Sequence, residues 1–265
     1  MLPGIVIKYS FWLQPAIIRL LILFLLLGLA GASVLPVLSI YLARNINVTP
    51  LWIGIFFSAN TLAGIGVSQW IAKRSDTGMS RLKILYLANG LCLIGSLLLG
   101  YFRWFPALIL VGMVWFGFSS TAPPQLFALA REQVNDCQAA LFQSVLRAAV
   151  SISWIIGPPL AYLLFEQIGF RNLMIITAIL YGMVLLLLPG LNDARLASKS
   201  PSASITDLRL LGLMLVLMAI FAGNAMYMVY MPLYVCNILG QISIVPGLLM
   251  GVAASLEIPI MIGIS

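Results

Sequence analysis

Long apolar stretches alternate with short polar segments along this chain and give eight candidate membrane spans. A helix needs about 20 apolar residues to cross a bilayer core of roughly 30 Å. The pattern therefore predicts an all-α polytopic membrane protein. We number the predicted spans α1 to α8, and they cover residues 20–43, 51–71, 84–101, 106–128, 140–165, 172–190, 210–234 and 244–264.

One polar segment is much longer than the others and separates six spans from two. Residues 191–209 are rich in Ser, Lys and Asp, which is typical of a linker. We therefore predict a complete six-helix bundle over 20–190, a linker over 191–209, and the first two helices of a second bundle over 210–265. Residues 1–19 contain no small-residue cleavage site, so we expect a leader or interfacial helix that precedes a retained first span.

Basic residues fall mainly on one side of the predicted spans. Lysine and arginine accumulate in the cytoplasmic loops of membrane proteins. With a cytoplasmic N-terminus, that side receives ten basic residues and the other side three, so we predict that the N-terminus and the linker are cytoplasmic. The ten are Lys8, Arg19, Lys73, Arg74, Arg81, Lys83, Arg131, Arg195, Lys199 and Arg209, and the three are Arg44, Arg103 and Arg171.

Composition supports the membrane prediction and argues against several other classes of protein. Of the 265 residues, 62% are hydrophobic and 8% are charged, an apolar excess that needs lipid. The net charge of +7 is scattered between spans and does not line one face, which argues against nucleic-acid binding. The chain has no histidine, no Cys-x-x-Cys pair and no aspartate within a span, so we predict no metal site, no cofactor and no enzymatic activity.

The first and seventh spans share a sparse pattern of residues. Chance similarity between apolar helices rich in small residues is one explanation. If the repeat is real, a complete molecule needs roughly twice this offset, and we expect the chain to stop four helices short of it. The pattern Ala30-Gly31, Tyr41 and Asn45 recurs as Ala222-Gly223, Tyr234 and Asn237, at an offset of 192 to 193 residues.

Several strings resemble the major facilitator superfamily, whose plan is two six-helix halves joined by a cytoplasmic loop. The segment AKRSD at 72–76, followed by Arg81 and Lys83, resembles part of the superfamily's loop signature, and GPP at 157–159 resembles the motif of its exporters. More narrowly, five strings of this chain resemble the bacterial sugar efflux transporter family. They are WIGIFFSAN (52–60), GIGVSQWIAKRSD (64–76), APPQLFALARE (122–132), IIGPPLAY (155–162) and LEIPIM (256–261).

This resemblance implies a function and a location. It implies a secondary transporter in the bacterial inner membrane that exports small sugars or glycosides by alternating access, in exchange for protons. We expect the transporter to be a monomer. Two alternatives stay open. The incomplete second half favours a non-transporting remnant, and the six Trp and twelve Met residues favour a proton-coupled exporter of amphipathic drugs.

Two ionisable residues lie within otherwise uncharged spans, Arg147 in α5 and Glu257 in α8. A charge at the bilayer centre costs about 3 kcal/mol or more, so such residues need partners and often mark ion pathways. At about 1.5 Å per residue, both lie at nearly one depth, and the resemblance places α5 beside α8. We predict that they pair across the interface between the halves. Two roles are open for this pair. Protonation of Glu257 releases Arg147 and drives transport, or the pair only holds the two helices together and does not titrate during transport.

Other polar and aromatic residues are candidate substrate ligands or gating residues. Neutral amides suit sugar hydroxyls, and tryptophan rings can stack on a pyranose, although the same residues also serve as contacts between helices. The resemblance further implies that Asp76 closes a cytoplasmic charge latch with Arg74 and Arg81, with solvated loop charges as the alternative. Besides Arg147, the candidate ligands are Asn60, Trp115, Gln125, Trp154, Asn224 and Tyr227.

Overall fold

The computed structural model describes residues 9–76, 78–191, 208–242 and 244–264, and these ranges contain helices and no strand. All eight predicted spans are helical, and a four-residue helix, Tyr9–Trp12, precedes them. The first span begins at Pro15 rather than at residue 20. The helices are Pro15–Arg44 (α1), Pro50–Asp76 (α2), Arg81–Tyr101 (α3), Phe105–Ser119 with Ala122–Glu132 (α4), Asp136–Leu187 (α5 and α6), Leu208–Leu233 (α7) and Ile244–Ile264 (α8).

Length and hydropathy over the described residues identify six helices able to cross a membrane. One of them, Gln138–Leu187, has 50 residues and contains both α5 and α6, while Ile244–Leu256 of α8 is an apolar helical stretch that is shorter than these. α5 and α6 are separated by a kink at Gly169, whose φ is +81°. Side chains rarely tolerate this backbone conformation. Glycine at this position therefore lets two spans follow each other without a polar loop.

Two predicted spans are not continuous α-helices. α4 is interrupted at Ser120 and Thr121, whose hydroxyls both donate to the carbonyl of Gly117 at 2.9 Å. At the interruption the amide of Thr121 donates to the carbonyl of Phe118, so the two hydroxyls take the place of the amide that would otherwise donate to Gly117. α7 continues beyond Leu233 as a π-helix, Tyr234–Ile238. Neither irregularity interrupts the apolar pattern, so hydropathy did not predict them.

α1 and α5 run parallel and lie very close together. A Cβ atom added to Gly28 of α1 would lie 2.6 Å from the Cβ of Ser153. Further along both helices, the hydroxyl of Tyr162 donates to the carbonyl of Pro36 at 2.7 Å. Lipid is as apolar as a protein core, so membrane helices associate through this kind of close backbone packing and through hydrogen bonds.

α8 packs against α5 in the opposite direction. A Cβ atom added to Gly247 would lie 2.9 Å from the Cα of Pro159, and one added to Gly251 would lie 2.8 Å from the carbonyl oxygen of Ile155. Moving from Gly247 to Gly251 along α8 thus corresponds to moving back from Pro159 to Ile155 along α5, which shows that the two helices are antiparallel. The resemblance had implied that these two helices are neighbours, and the structure confirms it.

The helices alternate in direction, so the bundle has two ends. We call one the Arg44 end, where α1, α3 and α7 finish and α2, α4 and α8 begin. The opposite end, where α3 begins, is the Arg81 end. There the guanidinium of Arg19 in α1 donates a hydrogen bond to the carbonyl of Pro189, just beyond α6. This contact joins the first and sixth helices at the Arg81 end.

α7 is covered by other helices only toward the Arg44 end. Its described side chains from Leu211 to Met226 are all exposed, whereas Val235 and Cys236 are buried. Most of the linker predicted over 191–209 lies outside the described residues, so the predicted boundaries of the two bundles stay predictions.

Candidate functional site

A small cavity of about 270 Å³ lies between α1, α4, α5 and α6. Both tryptophans that the sequence singled out, Trp115 and Trp154, line it, together with the hydroxyl-bearing Ser119 and Ser120. The structure therefore brings two candidate sugar ligands to one site, which we call the Trp cavity. Its remaining lining is aromatic or apolar and consists of Phe24, Leu27, Gly28, Gly31, Leu35, Phe116, Pro123, Phe127, Val150 and Tyr181.

The two tryptophans differ in how firmly they are held. Trp115 is only 1% exposed, and its Nε1 donates to the hydroxyl of Ser96 at 2.9 Å. That hydroxyl donates in turn to the carbonyl of Cys92 at 2.8 Å. Trp154 is half-buried on α5. Trp115 thus forms a fixed wall of the cavity, while Trp154 is the ring more available to a ligand.

Arg147 lies on the same stripe of α5 as Gln143 and Trp154, at helical steps of four and seven residues. The side chain of Gln143 donates to the carbonyl of Phe127 on α4 at 3.2 Å, and Phe127 also lines the Trp cavity. Arg147 is exposed and makes no hydrogen bond or ion pair with any side chain that the structure describes. It therefore lies between the cavity and the Arg81 end without a described partner.

Two predicted gating residues lie where side chains are outside the description. Glu257 belongs to α8 and Asp76 ends α2, but the positions of these two carboxylates are not among the described side chains. The predicted pair of Arg147 with Glu257 and the predicted role of Asp76 in a charge latch therefore stay predictions.

Gln125 lies in a polar network at the Arg81 end, away from the Trp cavity. The Oε1 of Gln125 accepts hydrogen bonds from the Nη1 of Arg81 at 3.3 Å and from the hydroxyl of Ser75 at 3.5 Å. The Nε of Arg81 also lies 2.9 Å from the Oε1 of Glu132, whose side chain is 5% exposed. In this structure Gln125 joins α2, α3 and α4. It does not line the Trp cavity, so its predicted role as a sugar ligand has no support from that cavity.

Sequence reasoning missed Glu132 as the partner of Arg81. The signal was present, because Glu132 follows Gln125 by seven residues, a spacing that places both on one face of a helix. An acid on the same face as a buried amide, at the end of a span, is a natural partner for a loop arginine.

The other candidate ligands lie away from the Trp cavity. Asn60 is fully buried between α2 and α4, against Gly112, and neither of its amide atoms has a hydrogen-bonding partner among the described residues. Asn224 is exposed on α7. Tyr227 lines a separate groove between α2 and α7.

This groove has a volume of about 1200 Å³ and is mainly apolar. Tyr230 and Tyr234 stack on its α7 side with ring centroids 6.4 Å apart. Within the described ranges, no three His, Cys, Asp or Glu side chains group closely enough to hold a metal ion. The groove is lined by Pro50, Ile53, Gly54, Phe57, Ser58, Thr61, Leu62, Ala225, Met226, Tyr227, Val229, Tyr230, Met231, Leu233 and Tyr234.

Sequence comparison relates the chain to known transporters. Residues 10–265 match the Major Facilitator Superfamily. The chain is 38% identical over 248 residues to Sugar efflux transporter A of Escherichia coli (strain K12), which covers 89% of this chain and 63% of that protein. It is 38% identical over 255 residues to Sugar efflux transporter B of Salmonella typhimurium, covering 91% and 64%. The chain thus spans just under two thirds of the length of these curated relatives.

Solved structures show the same fold. The crystal structure of a mutant of the nucleoside transporter NupG matches with a TM-score of 0.75 at 15% identity, covering 93% of this chain and 66% of that one. A bacterial homologue of the human lysosomal transporter Spinster, in an inward-facing and unoccupied conformation, matches with a TM-score of 0.61 at 13% identity, covering 91% and 58%. The predicted all-α transporter fold is confirmed, and the named relatives are transporters and not enzymes.

Proposed function

Because this chain belongs to the major facilitator superfamily, we propose that it exports small sugars or glycosides across the bacterial inner membrane. The 38% identity to named sugar efflux transporters, over about nine tenths of the chain, supports this substrate class. Export proceeds by alternating access, with the site open first to one side of the membrane and then to the other, and exchange with protons drives it.

The size and lining of the Trp cavity support a sugar as the substrate. Its volume of about 270 Å³ lies near the lower end of the roughly 300–1000 Å³ typical of ligand pockets. One sugar ring fits such a space better than a drug-sized molecule does. The indole of Trp154 offers a flat apolar face to a pyranose ring, and the hydroxyls of Ser119 and Ser120 offer hydrogen bonds to its polar edge.

We place the Arg81 end in the cytoplasm. Basic residues concentrate there, as they do on the cytoplasmic side of most membrane proteins. The Arg44 end is then the outer end, and the N-terminus is cytoplasmic. The described basic residues at the Arg81 end are Arg19, Lys73, Arg74, Arg81, Lys83 and Arg131.

The packing of α8 on α5 supports the pairing of Arg147 with Glu257. One residue forward on α8 corresponds to one backward on α5, starting from Gly251 opposite Ile155. Continued in this register, α8 brings Glu257 level with Ala149, only about 3 Å along the axis from Arg147. Two long side chains that differ so little in depth can reach each other.

Protonation of Glu257 is the step that couples protons to transport. Ionised, the carboxylate compensates the guanidinium of Arg147 within the membrane. Once it is neutral, Arg147 loses its partner, and arrangements that hydrate it or offer it a substrate become favoured. A proton taken up by one residue thereby changes which arrangement of the two halves is stable.

The apolar groove supports a second candidate function, proton-coupled export of amphipathic drugs. Its volume of about 1200 Å³ is large enough for a drug, and Met226 and Met231 offer flexible apolar contacts together with its tyrosines. Its lining has no amide or charged side chain, and its few hydroxyls, on Ser58, Thr61 and three tyrosines, lie in a mainly apolar surface that suits a drug better than a sugar. The named relatives, however, are sugar efflux transporters. We therefore place drug export second.

Inside-out vesicles separate these functions, because export in the cell becomes uptake into the vesicle. We would impose an acidic lumen and measure accumulation of a labelled lactose-like glycoside and of a cationic dye, with a protonophore and vesicles without the chain as controls. Accumulation of the glycoside that the protonophore abolishes is the expected result. Accumulation of the dye alone would favour drug export, and accumulation of neither would contradict the proposal and favour a non-transporting remnant.

A further inference from the structure

Arg44 joins three helices at the Arg44 end. Its Nε donates to the Oδ1 of Asn237 at 3.5 Å and its Nη2 donates to the carbonyl of Cys236 at 3.3 Å, both in the π-helix that ends α7. Its Nη1 lies 4.0 Å from the Oε1 of Glu166 in α5. We call these four residues the Arg44 clasp.

The two halves of a major facilitator transporter are repeats related by a two-fold axis, and the clasp joins positions at the offset that relates them here. Arg44 precedes Cys236 by 192 residues and Asn237 by 193, which is the offset between the first and seventh spans. Positions related by a two-fold axis can touch each other only next to that axis. The Arg44 clasp therefore lies at the centre of the interface between the two halves.

α1 and α7 meet at this end of the bundle. Cys236, whose carbonyl belongs to the clasp, is buried, whereas the described side chains of α7 from Leu211 to Met226 are exposed. At the Arg44 end the two halves are therefore joined through α1 and α7, beside the apolar groove between α2 and α7. Toward the Arg81 end α7 has no such contact with the described helices.

The charges of the clasp suit a contact that forms and breaks. The final carbonyls of a helix carry a partial negative charge, and a guanidinium placed there is favourable. Glu166 adds a full negative charge, but the side chains of Arg44 and Glu166 are 39% and 51% exposed, so water weakens their attraction. Several weak contacts converge on one side chain, and losing that side chain removes all of them together.

We propose that the Arg44 clasp is the outer gate of this transporter. Arg44 holds the ends of α1, α5 and α7 together while the pathway is open at the Arg81 end, and it releases α7 when the pathway opens outward. This inference rests on the proposed function, since it requires alternating access and a cytoplasmic Arg81 end. It adds a gating role for a residue remote from the Trp cavity and from the predicted pair of Arg147 with Glu257.

Cys236 reports opening of the clasp. It is 5% exposed, so a membrane-impermeant maleimide added to intact cells reaches it from outside only when the gate opens. Arg44→Gln removes the charge, and we expect the labelling rate of Cys236 to rise about three- to tenfold. Arg171→Gln removes another exposed arginine and is the matched control, with no change expected. An unchanged rate in Arg44→Gln would overturn the proposal.

Cys92 separates gate opening from unfolding, because it is fully buried in the bundle and is labelled only in unfolded chains. If Arg44→Gln labels at both cysteines, Glu166→Gln and Asn237→Ala decide, since each removes a single contact. Faster labelling of Cys236 alone supports the gate, and no change in either variant overturns it. The labelling needs no substrate, so a normal response of Cys236 without sugar export would contradict the proposed substrate and retain the gate.

Discussion

Replacing Arg81 and replacing Glu132, the two partners of one ion pair, will destabilise the folded chain to different extents. The paired atoms lie 2.9 Å apart, and the side chains are 26% and 5% exposed. Arg81→Ala leaves an enclosed carboxylate without its cation. Glu132→Gln leaves a partly hydrated guanidinium that still donates to Gln125. We therefore expect the loss of the arginine to cost more than the loss of the acid.

The expected magnitudes follow from this difference in burial. An uncompensated buried charge costs about 3 to 5 kcal/mol, and the partial exposure of Arg81 places Arg81→Ala at about 3 kcal/mol of unfolding free energy. Glu132→Gln replaces a hydrogen bond between charged groups, worth about 1.5 to 3 kcal/mol, with one to a neutral acceptor worth about 1 kcal/mol, so we expect a loss of about 1 kcal/mol. The double variant contains no unpaired charge, so it should regain about 1 to 2 kcal/mol relative to Arg81→Ala.

Thermal unfolding in detergent, followed with a thiol-reactive dye in a background with Cys137 and Cys236 replaced by serine, measures these differences, because the fully buried Cys92 reacts only after unfolding. We expect Arg81→Ala to lower the midpoint by about 6 to 12 °C, at about 2 to 4 °C per kcal/mol, and the double variant to lower it less. Lys83→Ala removes an exposed cation from the same helix as a control. A double variant no more stable than Arg81→Ala would refute the reasoning.

Three further predictions concern the α5–α8 contact, the Trp cavity and the proton step. In the same thermal assay, Gly247→Ala should cost about 1 to 3 kcal/mol, because its Cβ would lie 2.8 to 2.9 Å from atoms of α5; Gly66→Ala, with nothing within 4 Å, should be nearly neutral. Trp154→Ala should raise the KM of glycoside uptake about three- to tenfold, while Trp104→Ala, 69% exposed, leaves it unchanged. Glu257→Gln should abolish pH-driven export, and undiminished proton coupling would end the switch hypothesis.

The positions of the helices could be predicted because the bilayer imposes a minimum apolar length. The breaks within them could not. Gly169 separates α5 from α6 without polar residues to mark a loop, and the interruption of α4 at Ser120 lies inside an apolar stretch. These breaks depend on backbone conformation and on local hydroxyl hydrogen bonds, and hydropathy records neither.

The direction in which each helix faces was harder to predict than its position. Asn60 and Asn224 are both amides in apolar helices, yet the first is fully buried and the second is exposed. In water an apolar stripe marks the side that packs, but lipid is as apolar as a protein core, and the stripe loses that meaning. Arg147 and Trp154 were easier, because several polar and aromatic residues share one stripe of α5.

The meeting of Trp115 and Trp154 is a long-range feature that local patterns do not contain. The two residues lie on different helices, and only the packing of α1, α4 and α5 brings them to one cavity. Each was singled out for its own chemistry. Their joint placement is what turns two separate hypotheses into one site.

Where α8 lies on α5, main chain meets main chain. At Gly247 and Gly251 main-chain atoms of α5 lie 2.8 to 2.9 Å from the Cβ positions of the glycines, beside the side chains of Tyr162 and Pro159, so this seam has little room to compress. Sliding would drive Pro159 into the neighbouring turn of α8, whereas tilting about the line of contact leaves these distances almost unchanged. The seam therefore has the geometry of a pivot, and rocking about it produces the widest displacement in the helices that lie farthest away.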